Sequence, residues 1–394
     1  MTFNPRRLFK WAFLSAVVGV LAGTSSAIFL HLLNWATEQR VAHPELILFL
    51  PLGGAGVGYL YHRYGRGAER GHVLILDEIH DPKTTLPLRM APLVLLGTLV
   101  THLFGGSAGR EGTAVQMGAS LADQLSKFFH IDAEERKTLL VAGAGAGFGA
   151  AIGAPFAGLF FGMEVIYVRG LKPFAILECA IASFVGYHVT FLLRAPHSHY
   201  PAFELAHFDA RLLISTLVMG AVSGVVALLF VKLTHGVEAG YRKFRAVPWI
   251  RPLIGGAVLV GLYRLLGTDR YAGLGIPVIQ ESLVRSVSFL DPFYKTVLSA
   301  ITVGSGFKGG EFVPLVFIGA TLGSALSVVI PGTAAFLGSL GFAAVFAGAA
   351  NTPFACSLMA VEIFGLSIAP YAIIACFVSY FCSGRHGIYG IGQR

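Results

Sequence analysis

Apolar runs separated by short polar stretches fill the chain, at 11–33, 46–64, 90–104, 112–129, 137–150, 153–168, 174–194, 211–238, 249–267, 292–303, 311–330, 333–350, 352–366 and 368–383. A full membrane span needs about 20 apolar residues. Several of these runs are clearly shorter and carry glycine or proline at one end. Such segments predict half-helices that enter the bilayer and stop. Irregular backbone at that depth survives only where it is buried in protein or lines a cavity. Broken helices in two corresponding places are a sequence pointer to a transporter site. The pattern predicts an all-α integral membrane protein with broken and re-entrant helices.

An internal repeat supports this. Ala154–Glu164 reads Ala-Pro-Phe-Ala-Gly-Leu-Phe-Phe-Gly-Met-Glu, and Thr352–Glu362 reads Thr-Pro-Phe-Ala-Cys-Ser-Leu-Met-Ala-Val-Glu. Pro155, Phe156, Ala157 and Glu164 match Pro353, Phe354, Ala355 and Glu362 at one constant offset. Gly118-Ala-Ser-Leu121 matches Gly319-Ala-Thr-Leu322 at nearly the same offset. Two membrane half-repeats are therefore expected, residues 1–205 and 206–394, forming one transmembrane domain.

Composition narrows the class. Of 394 residues, 55% are hydrophobic and 13% charged, against about 25% charged in soluble domains. Mean hydropathy is +0.71. So few polar groups cannot cover a soluble protein of this size. The net charge of +8 comes from basic residues scattered between apolar runs, the pattern of topology-setting loop charges rather than of a nucleic-acid surface. The four cysteines, Cys179, Cys356, Cys376 and Cys382, lie in or beside apolar segments without CxxC pairing, and read as small buried hydrophobes. Arg6, Arg7 and Lys10 precede the run from Trp11 to Leu33. That run exceeds a signal-peptide core, so it reads as a first span with a cytoplasmic N-terminus.

Three polar segments are candidates for chemistry. Gly105–Gly118 contains Gly109-Arg110-Glu111-Gly112-Thr113 just before an apolar helix. Glycines let backbone N–H groups converge there, and the helix start favours an anion. Glu111, a carboxylate in an apolar chain, is a functional candidate; the structural alternative is that it caps its helix or pairs with Arg110. In Gly304–Leu315, a second glycine-rich loop carries Lys308, Gly309, Gly310 and Glu311 before another apolar run. It lacks the Lys-Ser/Thr of a phosphate-binding loop. Gly71–Asp81 clusters Asp77, Glu78, His80 and Asp81. Neighbouring helical residues point apart, so this reads as a solvated helix end rather than a metal site. No catalytic signature of the HExxH or GxSxG kind occurs.

Together, Gly109-Arg-Glu-Gly-Thr113, the Gly-Gly-x-Phe-x-Pro pattern at Gly309–Pro314 and a tyrosine near the C-terminus resemble the CLC anion channels and transporters. The two Pro-Phe-Ala…Glu stretches occupy the places of that family's paired repeat helices. The resemblance implies an inverted-repeat fold and a homodimer with one anion pathway per subunit. It makes Glu111 the gating, proton-coupling glutamate and Tyr389 a hydroxyl donor at a central anion site. Backbone amides near Gly112, Phe312 and Val313 would contribute to the same site.

Departures from the common pattern refine this. Gly71-His72-Val73-Leu74-Ile75 stands where chloride-handling members have Gly-Ser-Gly-Ile-Pro, so His72 replaces the anion-coordinating serine. Glu311 replaces the usual apolar residue before Phe312, and Thr113 follows where proline is usual. With the Phe-Lys-Gly-Gly-Glu string, these resemble the bacterial fluoride-exporting branch, which antiports fluoride against protons. Glu164-Val165 stands where some exchangers carry a carboxylate pair, so the inner proton route is not visible. The chain is also expected to lack the nucleotide-binding domains of larger relatives.

The expectation is a fluoride/proton antiporter of the bacterial inner membrane, with fluoride, protons, lipid and a second copy as partners and no cofactor, metal or nucleic acid. A chloride/proton exchanger or passive anion channel is the alternative within the family. An integral membrane enzyme is the distant one, and it lacks a convergent nucleophile and base.

Overall fold

The computed structural model describes residues 5–129, 131–166, 175–201, 209–244, 247–384 and 387–389. Among these, the apolar runs become sixteen α-helices. The first eight are α1 (Pro5–Ala42), α2 (Leu50–Tyr64), α3 (His72–His80), α4 (Met90–Leu103), α5 (Glu111–Gln124), α6 (Ala133–Ile152), α7 (Pro155–Glu164) and α8 (Ile176–Leu192). The second eight are α9 (Arg211–Gly240), α10 (Ile250–Leu266), α11 (Ile276–Ser282), α12 (Leu290–Gly304), α13 (Phe312–Leu326), α14 (Ala334–Ala350), α15 (Pro353–Phe364) and α16 (Ala369–Ser383). No strand occurs among the described residues, and the one isolated β-bridge joins Gly109 to Gly310. The expected boundary near residue 205 lies outside the described residues.

Among the described residues, three helices are long and apolar enough to cross a membrane: α1, α9, and α16 with the single turn before it. α1, at 38 residues, extends about 57 Å at 1.5 Å per residue. α5, with 14 residues, covers only about 21 Å of a hydrocarbon core about 30 Å thick. The expected short, broken helices are therefore present. α3 and α11 fall outside the apolar runs because, at 9 and 7 residues, they are too short for a hydrophobic window to register.

The packing repeats at an interval of eight helices. α1 packs on α8, α6 and α4, and α9 packs on α16, α14 and α12. α5 with α6, and α6 with α7, correspond to α13 with α14, and α14 with α15. The same local signals build both sets. Asp132 caps α6 by accepting from the Glu135 N–H at 2.8 Å, and Thr333 caps α14 by accepting from the Phe336 N–H at 3.1 Å. Left-handed residues end both helices, Gly153 at φ 84° and Asn351 at φ 58°. Pro155 and Pro353 then open α7 and α15, where a missing N–H costs nothing.

Glycines set the closest crossings. A Cβ on Gly319 would sit 1.9 Å from the Gly341 carbonyl oxygen, and one on Gly118 would sit 2.2 Å from that of Gly143. Backbone thus meets backbone where α13 crosses α14 and where α5 crosses α6. Small residues of this kind let membrane helices gain dispersion contacts that lipid does not supply.

α7 and α15 hold one another through their glutamates. Glu164, at the end of α7, accepts from the Phe354 and Ala355 N–H groups at 2.9 and 2.8 Å. Glu362, near the end of α15, accepts from those of Phe156 and Ala157, both at 2.8 Å. Each carboxylate satisfies orphan donors at the positive end of the other helix. Mutual capping of this kind requires the two helices to run antiparallel.

The segment expected to be a solvated helix end is partly buried, a correction to the sequence reading. Glu78 is 5% exposed and accepts from Arg136 Nη1 at 3.0 Å and from the Thr84 N–H. Arg136 also binds Asp123 at 2.6 Å, which accepts from the Leu86 N–H. This network straps the α3–α4 linker to α5 and α6. Asp77 instead pairs with Arg70, and Asp81 with Lys83, so the acidic residues diverge. Cys179, Cys356 and Cys376 are buried as expected, whereas Cys382 is exposed.

Candidate functional site

The two glycine-rich loops meet. The Gly109 N–H donates to the Gly310 carbonyl at 2.5 Å and the Gly310 N–H returns to Gly109 at 2.8 Å. This bridge sets the start of α5, at Glu111, against the start of α13, at Phe312. There is no room for side chains: a Cβ on Gly109 would lie 2.9 Å from the Val313 nitrogen, and one on Gly310 2.7 Å from the Gly112 nitrogen. The N-termini of two half-helices, each carrying unsatisfied N–H groups, therefore converge at a buried point.

α3 brings a third helix start to the same place. His72 opens α3, and its Nε2 would lie 2.8 Å from a Cβ on Gly112. Its Nε2 lies 3.2 Å from Gln116 Nε2, and its ring centroid lies 5.1 Å from that of Tyr389. For the Gln116 amide to donate to Nε2, the ring proton must sit on Nδ1. His72 is thus packed against α5 and Tyr389. Gln116, 7% exposed, is a site residue that sequence reasoning missed. Its signal was a polar side chain inside the helix that opens with Gly-Arg-Glu-Gly.

Glu111 is 2% exposed. It accepts from Arg110 Nε at 3.2 Å and from the Arg110 N–H at 3.2 Å. Arg110 in turn donates to Ser198 Oγ at 3.1 Å. The pairing weighed as a structural alternative is therefore present. Thr113 exchanges a 2.6 Å hydrogen bond with Thr98. Phe312 stands edge-on to Phe148 and Phe346, at centroid distances of 5.5 and 4.7 Å. Both carboxylates, Glu311 and Glu111, act electrostatically on the Tyr389 hydroxyl.

A cavity of about 940 Å³ opens onto this point, and His72, Gln116, Lys308, Gly309, Glu311 and Tyr389 are among its walls. Glu111, Gly112, Phe312 and Val313 are buried and are not among them. The structure therefore puts Glu311, His72 and Tyr389 on the cavity side and Glu111 behind the junction. Lys308, in the loop between α12 and α13, lies over the Tyr61 ring, 4.1 Å from its centroid. Chemically, the junction offers clustered N–H donors, a phenol, an imidazole and two carboxylates, groups that can hold a proton or an anion. It suits a small anion and protons.

Comparison with known proteins agrees with that chemistry. Residues 53–384 match the family of voltage-gated chloride channels. A chloride/fluoride channel protein of Pseudomonas syringae pv. tomato is 44% identical over 96% of this chain and 85% of its own length. A proton/chloride exchange transporter of Vibrio cholerae is 27% identical over 90% of this chain and 82% of its own. The crystal structure of a CLC-type fluoride/proton antiporter superimposes with a TM-score of 0.94 at 33% identity, covering 99% of both chains. A slow cyanobacterial chloride/proton antiporter shares the fold with a TM-score of 0.82 at 20% identity, covering 98% of this chain and 97% of its own. With two half-helices meeting at a glycine bridge and a family match over most of its length, the chain belongs to the voltage-gated chloride channel, or CLC, family.

Proposed function

We propose that this protein is a fluoride/proton antiporter that expels fluoride across the bacterial cytoplasmic membrane. The observation that carries the reading is that Glu311, Tyr389 and His72 line one cavity, with Glu111 buried at the start of α5, whose first residues meet Gly310 and His72. Fluoride is the smallest halide and holds its water tightly. Its transfer to mid-membrane needs strong donors at close range. The Tyr389 O–H, the His72 Nδ1–H, a protonated Glu311 and the amides at Gly112, Phe312 and Val313 supply them.

Glu111 competes with the anion when charged and withdraws when protonated, which links the two ions. Gly109 and Gly310 hold the junction, and Arg110 and Thr113 orient the gate. One elementary charge is worth about 2.3 kcal/mol per 100 mV, so exchange of outgoing fluoride for an incoming proton draws on both potential and pH gradient. The relatives named above as a fluoride/proton antiporter and a chloride/fluoride channel protein support this reading.

Further parts of the proposal follow from the same family pattern. The chain is two half-repeats, 1–205 and 206–394, which the eightfold-shifted helix packing and the antiparallel α7–α15 pair support. The N-terminus is cytoplasmic. The protein is a homodimer, a reading supported by outward apolar side chains such as Phe156, Phe354 and Phe381 on α7, α15 and α16.

The test is fluoride release from proteoliposomes, with proton uptake followed in parallel. Fluoride efflux that drives protons inward is expected. Chloride flux equal to fluoride flux, or fluoride flux without proton movement, favours the second reading of a chloride exchanger or passive channel, for which the Pseudomonas relative's name leaves room.

A further inference from the structure

Of the four Arg and Lys residues that line the cavity reaching Glu311 and Tyr389, Arg66 and Arg70 are exposed, while Lys308 and Arg251 are partly buried; the reading above does not use this second pair. Both are held in place. The Lys308 stem packs where a Cβ on Gly97 would sit, 2.8 Å from its Cγ, and its ammonium lies against the Tyr61 ring. Arg251 is the second residue of α10, and its Nη2 lies beside Gly306. The two are close enough for Arg251 to be the strongest charge acting on Lys308.

Neither residue forms an ion pair among the described residues. Glu69, the carboxylate that acts on Lys308, is exposed and weaker in effect than Arg251. Arg70 is already engaged with Asp77. Arg251 Nε is buried without a hydrogen-bond partner, a costly state for a guanidinium donor. Its position in the first turn of a helix adds a further penalty, because the positive end of the dipole repels a cation. Two like charges, one unsatisfied buried donor and a helix N-terminus thus line a cavity wide enough to hold water. Each of these costs is removed by the same thing, a bound anion.

We propose that Lys308 and Arg251 form a separate anion station in this cavity, which takes a small, still hydrated monovalent anion before it reaches Glu311, Tyr389 and His72. The proposal rests on the reading of the protein as an anion transporter. The station differs chemically from the junction: its donors carry permanent charge and sit in a space wide enough for water. It concentrates the ion electrostatically, and dehydration is left to the junction.

The test measures initial efflux against luminal fluoride in proteoliposomes at low and high concentrations of an inert organic salt. Lys308→Met and Arg251→Gln should each raise KM by about three- to tenfold at low salt, as loss of a steering charge does. High salt should raise the wild-type KM toward that of the variants. Lys308→Arg and Arg251→Lys, which keep the charge, should restore low KM. An unchanged KM in both neutral variants overturns the proposal. So does a charge-keeping variant as impaired as the neutral one, because packing then accounts for the effect. If the wild-type protein carries chloride instead, the same KM shifts are read with chloride. Failure of the fluoride reading then shows in the wild type, and failure of the station shows in the variants.

Discussion

The mutual capping of α7 and α15 makes a quantitative prediction. Glu164→Ala removes the acceptor of two N–H groups, those of Phe354 and Ala355. Glu164 is 3% exposed, so water does not readily replace it. Each buried donor left unpaired costs about 1–3 kcal/mol, which puts the loss at about 2–6 kcal/mol. Glu362→Ala removes the corresponding acceptor of Phe156 and Ala157, but Glu362 is only half-buried. In detergent micelles, which admit water to a half-buried site that protein or lipid would keep dry, the loss falls to about 1–2 kcal/mol. Glu164→Gln keeps one acceptor oxygen but turns an NH2 toward a donor, so it should fall between the two. The assay is reversible unfolding of purified protein in mixed micelles, below the concentration at which protomers associate. Equal losses for the two alanine variants, or a loss under about 1 kcal/mol for Glu164→Ala, would refute the argument that burial of the orphan donors sets the cost.

Glu111→Gln cannot titrate, so proton-driven uphill fluoride transport should stop; a variant that still pumps on a pH gradient would assign the coupling to another group, with Glu311 first in line. Tyr389→Phe keeps the ring that packs on His72 but deletes the O–H, and should weaken fluoride binding by about 0.5–1.5 kcal/mol, roughly two- to twelvefold, measured by calorimetry; unchanged binding would make Tyr389 a packing residue. His72→Ser should raise chloride flux relative to fluoride and His72→Asn should not. Gln116→Leu should shift the same ratio through the imidazole, so its effect should vanish in a His72→Ala background; persistence there would show that Gln116 acts on its own.

The recognisable parts of the site are those whose chemistry is local. Gly109–Thr113 and Gly309–Pro314 are legible because a helix start that receives an anion needs consecutive glycines beside an odd carboxylate. The Pro155 and Pro353 stretches are legible because a proline start and a distal glutamate recur at one spacing. What those glutamates do was not legible, since each caps a helix in the other half of the chain. The same holds for Glu78, whose partner Arg136 stands at the start of α6, and for Gln116, whose partner His72 opens α3. A polar residue in an apolar helix announces that it has a partner, but the partner is set by packing.

The glycine bridge also orders events in time. Gly109 and Gly310 satisfy each other's backbone groups, so the first loop has no mate until the second has been made. At 5–20 residues per second, the ribosome takes roughly 10–40 s to cover that distance. For that interval α5 stands in or beside the insertion machinery with Glu111 and its helix-start amides lacking their final neighbours. Unpaired polar backbone is not tolerated against lipid, so the nascent first half must keep this end wet or shielded. A chain truncated before residue 310 is accordingly a natural target for membrane quality control.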